Sequence, residues 1–498
     1  MSYNSTGHSH PDVTWQQVFK NLDRKGQALN IQIRRSLVLA IETGIIKKGD
    51  KLPSSRHLAG LVGVARNTVT AAYKLLIDDG FLISKDRSGI FVAADILPAP
   101  SRIISSRQKT NWPESFAVAP SQLRHLQKSR DWQQHSYPFL YGQFDPAIFP
   151  TNDWREAIRA TSSVSEISHW AGDRIDDDDP ELIEQLCVQV LPRRGIFAQR
   201  DEILITLGSQ QALSMLVQLF GKAGSKIGFE DPGYPDIRNM VQMSPATEQA
   251  LAVDKKGVIP NADFSACSVA FLTINKHCPT TVTMPAERRR EVLRKAIAHD
   301  IVLIEDDYEA DMMLDESVKP NSLKSLDQDG RIIYTGSFSK SLAPGLRIGY
   351  IVAAPDVIRE LRVLRRLIMR HPPSNNQRIL ATFIALGHYT QHLERNGKIL
   401  AQRAELIRNL LPQVMPDCAF EYEKGSMSFW IRLPENCDGQ ELQKAARNKG
   451  VLIEAGDIFF TSPEAGKRFI RLGFTSITGT HIETGLKTLG SLIPRTAH

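Results

Sequence analysis

Apolar residues fall at Ile31, Ile33, Leu37, Val38, Ala40 and Ile41, a spacing near that of a helix, which predicts one over 29–46 closing at Gly44. A second helix is predicted over 54–62, entered through Pro53 and Ser54, and a third over 66–79, with Gly63 in the turn between them. The period then shifts to two. Residues 81–84 and 89–93 alternate around the polar stretch 85–88, which predicts a hairpin. Helix, helix, turn, helix and hairpin make a winged helix, assigned to residues 15–94. Past Asp95 the periodicity stops, and 97–114 mixes proline, serine and basic residues without an apolar repeat. The linker is placed at 95–131. From 132 to 498 apolar runs at 203–207, 226–229, 269–274, 301–305, 331–336 and 349–353 alternate with helical stretches such as 210–220 and 286–299. That alternation predicts an α/β domain with a largely parallel sheet. The acidic run Asp176–Asp179 reads as a solvated loop.

Composition narrows the class. With 42% hydrophobic and 23% charged residues over 498 positions, the chain is globular and long enough for a small module beside a large one. No apolar run is long enough to span a membrane and the polar first residues lack a signal-peptide core, so a cytoplasmic protein without membrane contact is expected. Cys187, Cys267, Cys278, Cys418 and Cys437 are scattered without a zinc-like spacing; reduced thiols and no metal are expected. Charge is unevenly spread. Through Asp95 there are 13 Lys+Arg against 8 Asp+Glu, and the six basic and one acidic residues from there to Arg130 bring the sum to +10. The remainder therefore carries −4 of the total +6. A basic front on a mildly acidic body suits a partner with a phosphate backbone.

The predicted third helix opens with Arg66, Asn67, Thr68 and Thr70, which puts a guanidinium, an amide and hydroxyls where a recognition helix meets base edges. Ser55 and Arg56 head the preceding helix, and Gly89 sits in the wing. These residues are the candidate contacts to double-stranded operator DNA.

The second half carries a different chemistry. Lys340 lies in a Ser/Gly-rich turn after a predicted strand, the placement of a lysine that holds an aldehyde as a Schiff base. Asp306 ends a strongly apolar run and is the candidate partner of a pyridine nitrogen; Tyr308 is two residues on, on the same side. Ser209 and Gln210 open a helix after a strand and, with Ser337, Ser339 and Arg347, are candidates for a phosphate. Tyr234 is placed to stack on a ring. Together they fit pyridoxal 5'-phosphate.

Leu52-Pro53-Ser54-Ser55-Arg56, Leu58-Ala59 and Gly63-Val64-Ala65-Arg66-Asn67-Thr68-Val69 resemble the GntR family of winged-helix regulators, with Ala65 where that family usually has serine. From about Tyr141 on, the chain resembles the fold type I aminotransferases: an α/β large domain with a small C-terminal α+β subdomain. The whole is similar to the MocR (GabR-like) subfamily of GntR regulators, on Gly142, Phe149-Pro150, Trp154, Gly208-Ser209-Gln210-Gln211-Ala212-Leu213, Arg288-Arg289 and Arg471-Leu472-Gly473-Phe474. The resemblance implies that Arg471 grips an effector carboxylate. It also implies a domain-swapped homodimer. The loop Asn275-Lys276-His277-Cys278-Pro279-Thr280-Thr281 departs from the family pattern, with Cys278 where true aminotransferases have asparagine and Thr281 where a glycine is usual; Trp170 stands where an aromatic Tyr is expected.

The expected function is a pyridoxal phosphate-dependent transcriptional regulator that senses a small amine or amino-acid effector by forming an external aldimine in place of the Lys340 adduct. Physiological catalysis is not expected. Two alternatives stand beside it: an active aminotransferase with an N-terminal DNA-binding domain, and a sensor of pyridoxal phosphate itself.

Overall fold

The computed structural model describes residues 15–20, 22–23, 27–94, 111–309 and 322–494, which cluster into two units, 1–114 and 115–498. In the first unit, helices Leu29–Glu42, Ser55–Val62 and Arg66–Asp78 precede an antiparallel hairpin, Leu82–Lys85 with Gly89–Val92. The first helix is shorter than its apolar pattern. Gly44 takes a left-handed φ of +75° and stops it, and Ile46 folds back into the core, its N–H donating to Ala40 O at 3.0 Å. Ser54 caps the second helix by accepting from His57 N at 3.2 Å. Ala65 begins the third with no side-chain cap, as a methyl group dictates. Ile33, Leu37, Leu58, Val69, Ala72 and Leu76 form the core, and Tyr73, also buried, donates to Pro53 O at 2.9 Å.

The second unit is built on an eight-stranded sheet. Its strand order is Ile203–Thr206, Gly349–Val352, Ile332–Ser337, Val302–Asp307, Val269–Leu272, Lys226–Asp231, Thr247–Asp254 and Gly257–Val258. The pairs from Ile332–Ser337 to Thr247–Asp254 are parallel; Gly349–Val352 runs against both of its neighbours. Ile203–Thr206 and Ile332–Ser337 therefore point the same way, and the loops after both, together with the one after Val302–Asp307, gather at one edge. Thr247–Asp254 has no counterpart among the predicted strands because it lies toward the sheet edge with only Leu251 fully buried, so its apolar alternation is weak. A smaller antiparallel sheet of Ala419–Glu421, Ser428–Arg432, Phe469–Gly473 and Glu454–Ala455 packs with helices His388–Val414 and Gly479–Gly490.

The acidic run 176–179 is a correction to the sequence reading. Asp178 is buried between Arg365, at 2.5 Å, and Arg362, at 3.2 Å, and Asp179 caps helix Pro180–Gln185 through Glu181 N and Leu182 N. The arginine partners of Asp178 lie nearly two hundred residues away, so no local pattern announces that pairing. Among the described residues no helix is long and apolar enough to cross a membrane.

Candidate functional site

Strand Val302–Asp307 ends in three buried carboxylates, and the two-residue period of a strand sends them to opposite faces. Glu305 accepts from Leu323 N and Lys324 N, each at 2.8 Å, and Asp307 from Tyr334 Oη at 3.0 Å. Asp306 faces the other way, into a cavity of about 360 Å3, where Thr335 Oγ1 donates to it at 3.0 Å. Burial raises the Asp306 carboxyl to about 7, with Asp307 and Glu230 adding to the rise and Thr335 and Lys340 opposing it.

Lys340 enters the same cavity from the turn after strand Ile332–Ser337. Burial brings its amine down to about 7; Lys128 and Arg471 push the same way, against Glu309 and Glu454. Lowering the value in this way enlarges the neutral fraction near pH 7, and the neutral amine is the form that attacks an aldehyde. Its Nζ lies 4.5 Å from the ring centroid of Tyr141, and the Arg471 guanidinium carbon lies 4.3 Å from the same ring. Burial disfavours the charge on Arg471, yet Glu454 and Cys278 hold its guanidinium above the ordinary value. Nε of Arg471 donates to Glu454 Oε2 at 2.7 Å, and Nη1 meets Cys278 Sγ at 3.5 Å. Burial pushes the Cys278 thiol up to about 11.

At the other end of the cavity, Arg347 spans Gly208 and donates to Leu207 O at 2.7 Å. Gly208 has a φ of +74°, and a Cβ there would come within 3.0 Å of Arg347 Nη2. Ser209 and Gln210 follow on the first turn of helix Gly208–Phe220. Ser337 Oγ accepts from Ser339 N at 3.2 Å, while Ser339 Oγ is buried with no partner among the described residues. Tyr234 Oη donates to Gln210 Oε1 at 2.8 Å, and Tyr308 Oη to Lys276 O at 2.7 Å. An arginine over a side-chain-free backbone, an unpartnered serine hydroxyl and a helix N-terminus fit a phosphate. Asp306 fits a protonated ring nitrogen, and Lys340 an aldehyde. These residues fit pyridoxal 5'-phosphate.

Every cofactor residue singled out from the sequence lines this one cavity: Ser209, Gln210, Tyr234, Asp306, Tyr308, Ser337, Ser339, Lys340 and Arg347, with Arg471 and Cys278. Trp170 is not among the lining residues; its Nε1 donates to Thr161 O at 3.0 Å. Lys128, Tyr141, Gln143 and Asp236 also line the cavity, and Glu454 and Glu309 act on it, without having been chosen as site residues. Lys128 falls in the stretch given to the linker, where nothing periodic marks it.

In the winged helix, Arg56, Arg66, Asn67, Thr70 and Gly89 are exposed, and Ser55 and Thr68 half-buried. Thr70 Oγ1 donates back to Arg66 O at 3.0 Å. The wing turn adds exposed Lys85 and Arg87, the latter with a φ of +56°.

Comparison with known proteins agrees with both halves. Residues 151–489 match the model of aminotransferase class I and II, and residues 29–92 that of the bacterial regulatory proteins of the gntR family. The chain is 37% identical to the HTH-type transcriptional regulator TauR of Rhodobacter capsulatus, over 92% of this chain and 95% of that one. It is 26% identical to the HTH-type pyridoxine biosynthesis transcriptional regulator PdxR of Corynebacterium glutamicum, over 77% and 78%. Among solved structures it resembles in fold the kynurenine aminotransferase of Pyrococcus horikoshii, with a TM-score of 0.70 at 24% identity, over 77% of this chain and 98% of that one.

Proposed function

We infer the function from the family to which the chain belongs: the MocR (GabR-like) subfamily of GntR transcriptional regulators, in which a winged helix-turn-helix precedes an aminotransferase class I and II domain. It is a transcriptional regulator of that two-domain kind. In our reading, the aminotransferase-like domain holds pyridoxal 5'-phosphate at Lys340 and senses a small amine or amino acid, and the winged helix binds operator DNA through Arg56, Arg66, Asn67 and their neighbours. The observation that carries this reading is the meeting of Lys340, Asp306 and Arg347 in one cavity, although the three come from separate positions in the chain.

When bound, the cofactor would supply an aldehyde with room for one primary amine at a time, for which the amine of Lys340 and that of an effector would compete. Asp306 would keep the ring nitrogen protonated, and a positive nitrogen beside it would draw its carboxyl back toward the ionised form. Arg347, Ser209, Ser337 and Ser339 would hold the phosphate. Tyr234 would face the ring, Tyr308 would reach its phenolic oxygen, and Arg471 would take an effector carboxylate. The effector shifts the DNA-binding state only by the difference in its affinity for two arrangements, for which a few kcal/mol is enough. A head-to-tail homodimer would place two winged helices on one operator and raise affinity through effective concentration.

The test titrates primary amines into the cofactor-loaded full chain on a fragment of its own promoter, reading visible absorbance and DNA affinity together. The two are expected to change in step. A spectral shift that leaves DNA affinity untouched for every amine sinks the switch. Convergence of Lys340, Asp306 and Arg471 on one cavity also favours residual aminotransferase chemistry, which conversion to the pyridoxamine form by an amino acid would detect. The name of the Corynebacterium glutamicum relative favours a reading in which the cofactor is itself the signal. DNA affinity would then change on adding cofactor alone.

A further inference from the structure

We propose that Lys128 shares the acidic group of the effector with Arg471, so that the ligand grips the segment that leads into the effector domain. The ligand class is a short primary amine bearing a single anionic group. The proposal rests on the reading of Lys340 as the amine-exchange site.

Four observations carry it. Lys128 keeps solvent exposure as a residue, yet its ammonium donates to Tyr141 O at 3.2 Å and the side chain lines the same cavity as Lys340 and Asp306. That bond uses one of three N–H donors and leaves two for a ligand. The two amines are neighbours: a Cβ on Gly142 would collide with Nζ of Lys340 and lie 3.0 Å from Nζ of Lys128. A ligand nitrogen that takes the place of Lys340 therefore has a cation within a short carbon chain.

The buried cation beside Tyr141, Arg471, is already matched. Arg471 is ion-paired with Glu454 at 2.7 Å, whereas no described carboxylate lies within ion-pair distance of Lys128. Glu454 and Asp236 act on the Lys128 ammonium only from beyond contact distance, so its spare N–H donors stay open to an incoming anion, whereas Arg471 is already in contact with its carboxylate.

The segment carrying Lys128 is tied to both parts of the effector domain. Arg124 donates to Phe460 O at 3.0 Å and Asp457 O at 2.5 Å on the small subdomain, and Asn239 Nδ2, beside the large sheet, donates to Arg124 O at 2.8 Å. Leu126 packs with Cys278, Trp430 and Phe459. Arg447 bonds Ser129 Oγ at 2.8 Å and pairs with Asp131 at 3.0 Å. In sequence the segment follows directly on the stretch that leads from the winged helix. A ligand held at both Lys340 and Lys128 would fix this strap to the cofactor and alter the end of the linker.

The experiment uses the cofactor-loaded full chain and two probe pairs, glycine with glycinamide and β-alanine with β-alaninamide, which differ in the charge at one end. In wild type the acid of at least one pair is expected to shift the visible absorbance at a tenfold or more lower concentration than its amide. Lys128→Met should reduce that preference to about twofold while the protein still takes up the cofactor, and Lys128→Arg should restore it. An undiminished preference in Lys128→Met overturns the proposal. If no amine shifts the spectrum, Schiff-base exchange is what fails, and Lys128 is tested apart from it with propionate, which has the acid but no amine. Propionate should slow hydrogen exchange across 120–131 in wild type and not in Lys128→Met. Absence of that protection in wild type, or equal protection in both, overturns the assignment.

Discussion

Arg471 donates from Nε to Oε2 of Glu454 at 2.7 Å, with both side chains buried. The arginine expected to grip an effector is therefore half of an existing ion pair, and its removal is not a clean test of binding. Arg471→Ala strands a buried carboxylate and should cost about 3–5 kcal/mol of stability. The double variant Arg471→Met with Glu454→Gln removes both charges together and should recover most of that loss in urea unfolding while still weakening the response to acidic amines. A double variant as unstable as the single one would mean that packing, rather than the pair, is what matters there.

Lys340→Ala should abolish the visible absorption of the loaded protein and the response of DNA binding to amines. It should leave folding and basal operator binding in place, since the core around the cavity is made by other residues and the winged helix has its own core. A full effector response in this variant would end the Schiff-base model.

The amine of Lys340 lies at about 7 because burial favours its uncharged form, with Lys128 and Arg471 adding repulsion. Below that pH the amine is protonated and cannot attack the aldehyde; above it the amine is free. Loading of cofactor-free protein should accelerate between pH 6 and 8 rather than near the ordinary lysine value of about 10.4. Lys128→Met removes a neighbouring positive charge and should move the midpoint upward. Stopped-flow absorbance across pH reads both; a midpoint that stays put in the variant would remove Lys128 from the field at Lys340.

Arg66 is exposed at the first turn of helix Arg66–Asp78. Arg66→Ala should weaken operator binding by about 1–3 kcal/mol if it reads a guanine, or lower the salt slope by about one if it holds a phosphate. Unchanged affinity for operator and for random DNA alike would show that this helix does not enter the groove.

Ala65 occupies the cap position of the same helix in an extended conformation, without a side-chain acceptor. Ala65→Ser places a hydroxyl there and should stabilise the winged helix by about 0.5–1 kcal/mol. Thermal unfolding of the chain measures it, and a lower midpoint would show that serine does not cap in this setting.

Local sequence patterns announced the elements on which the cofactor residues sit. Asp306 follows the apolar run Ile301–Ile304 with one residue between, and Lys340 and Arg347 share one loop, so both the strand ends and their chemistry are written in nearby residues. The same holds for the recognition helix, whose cap, turn glycine and exposed first turn are consecutive. The strand Thr247–Asp254 escaped because a strand with a single fully buried residue needs no apolar alternation.

The sequence by itself determined the two-part architecture, the winged helix, the largely parallel sheet and the cluster of Asp306, Tyr308, Ser209, Arg347 and Lys340. Periodicity and short motifs depend on neighbours a few residues apart, and those survive in one dimension. Only the tertiary structure decided which charges balance. Glu454 meets Arg471 across an antiparallel strand pair, Asp178 meets Arg365, and Lys128 reaches the amine of Lys340 from more than two hundred residues away. A carboxylate or lysine looks the same in sequence whether solvent or a buried partner satisfies it. Its charge acquires a role when folding removes the water and fixes what lies a few ångströms away.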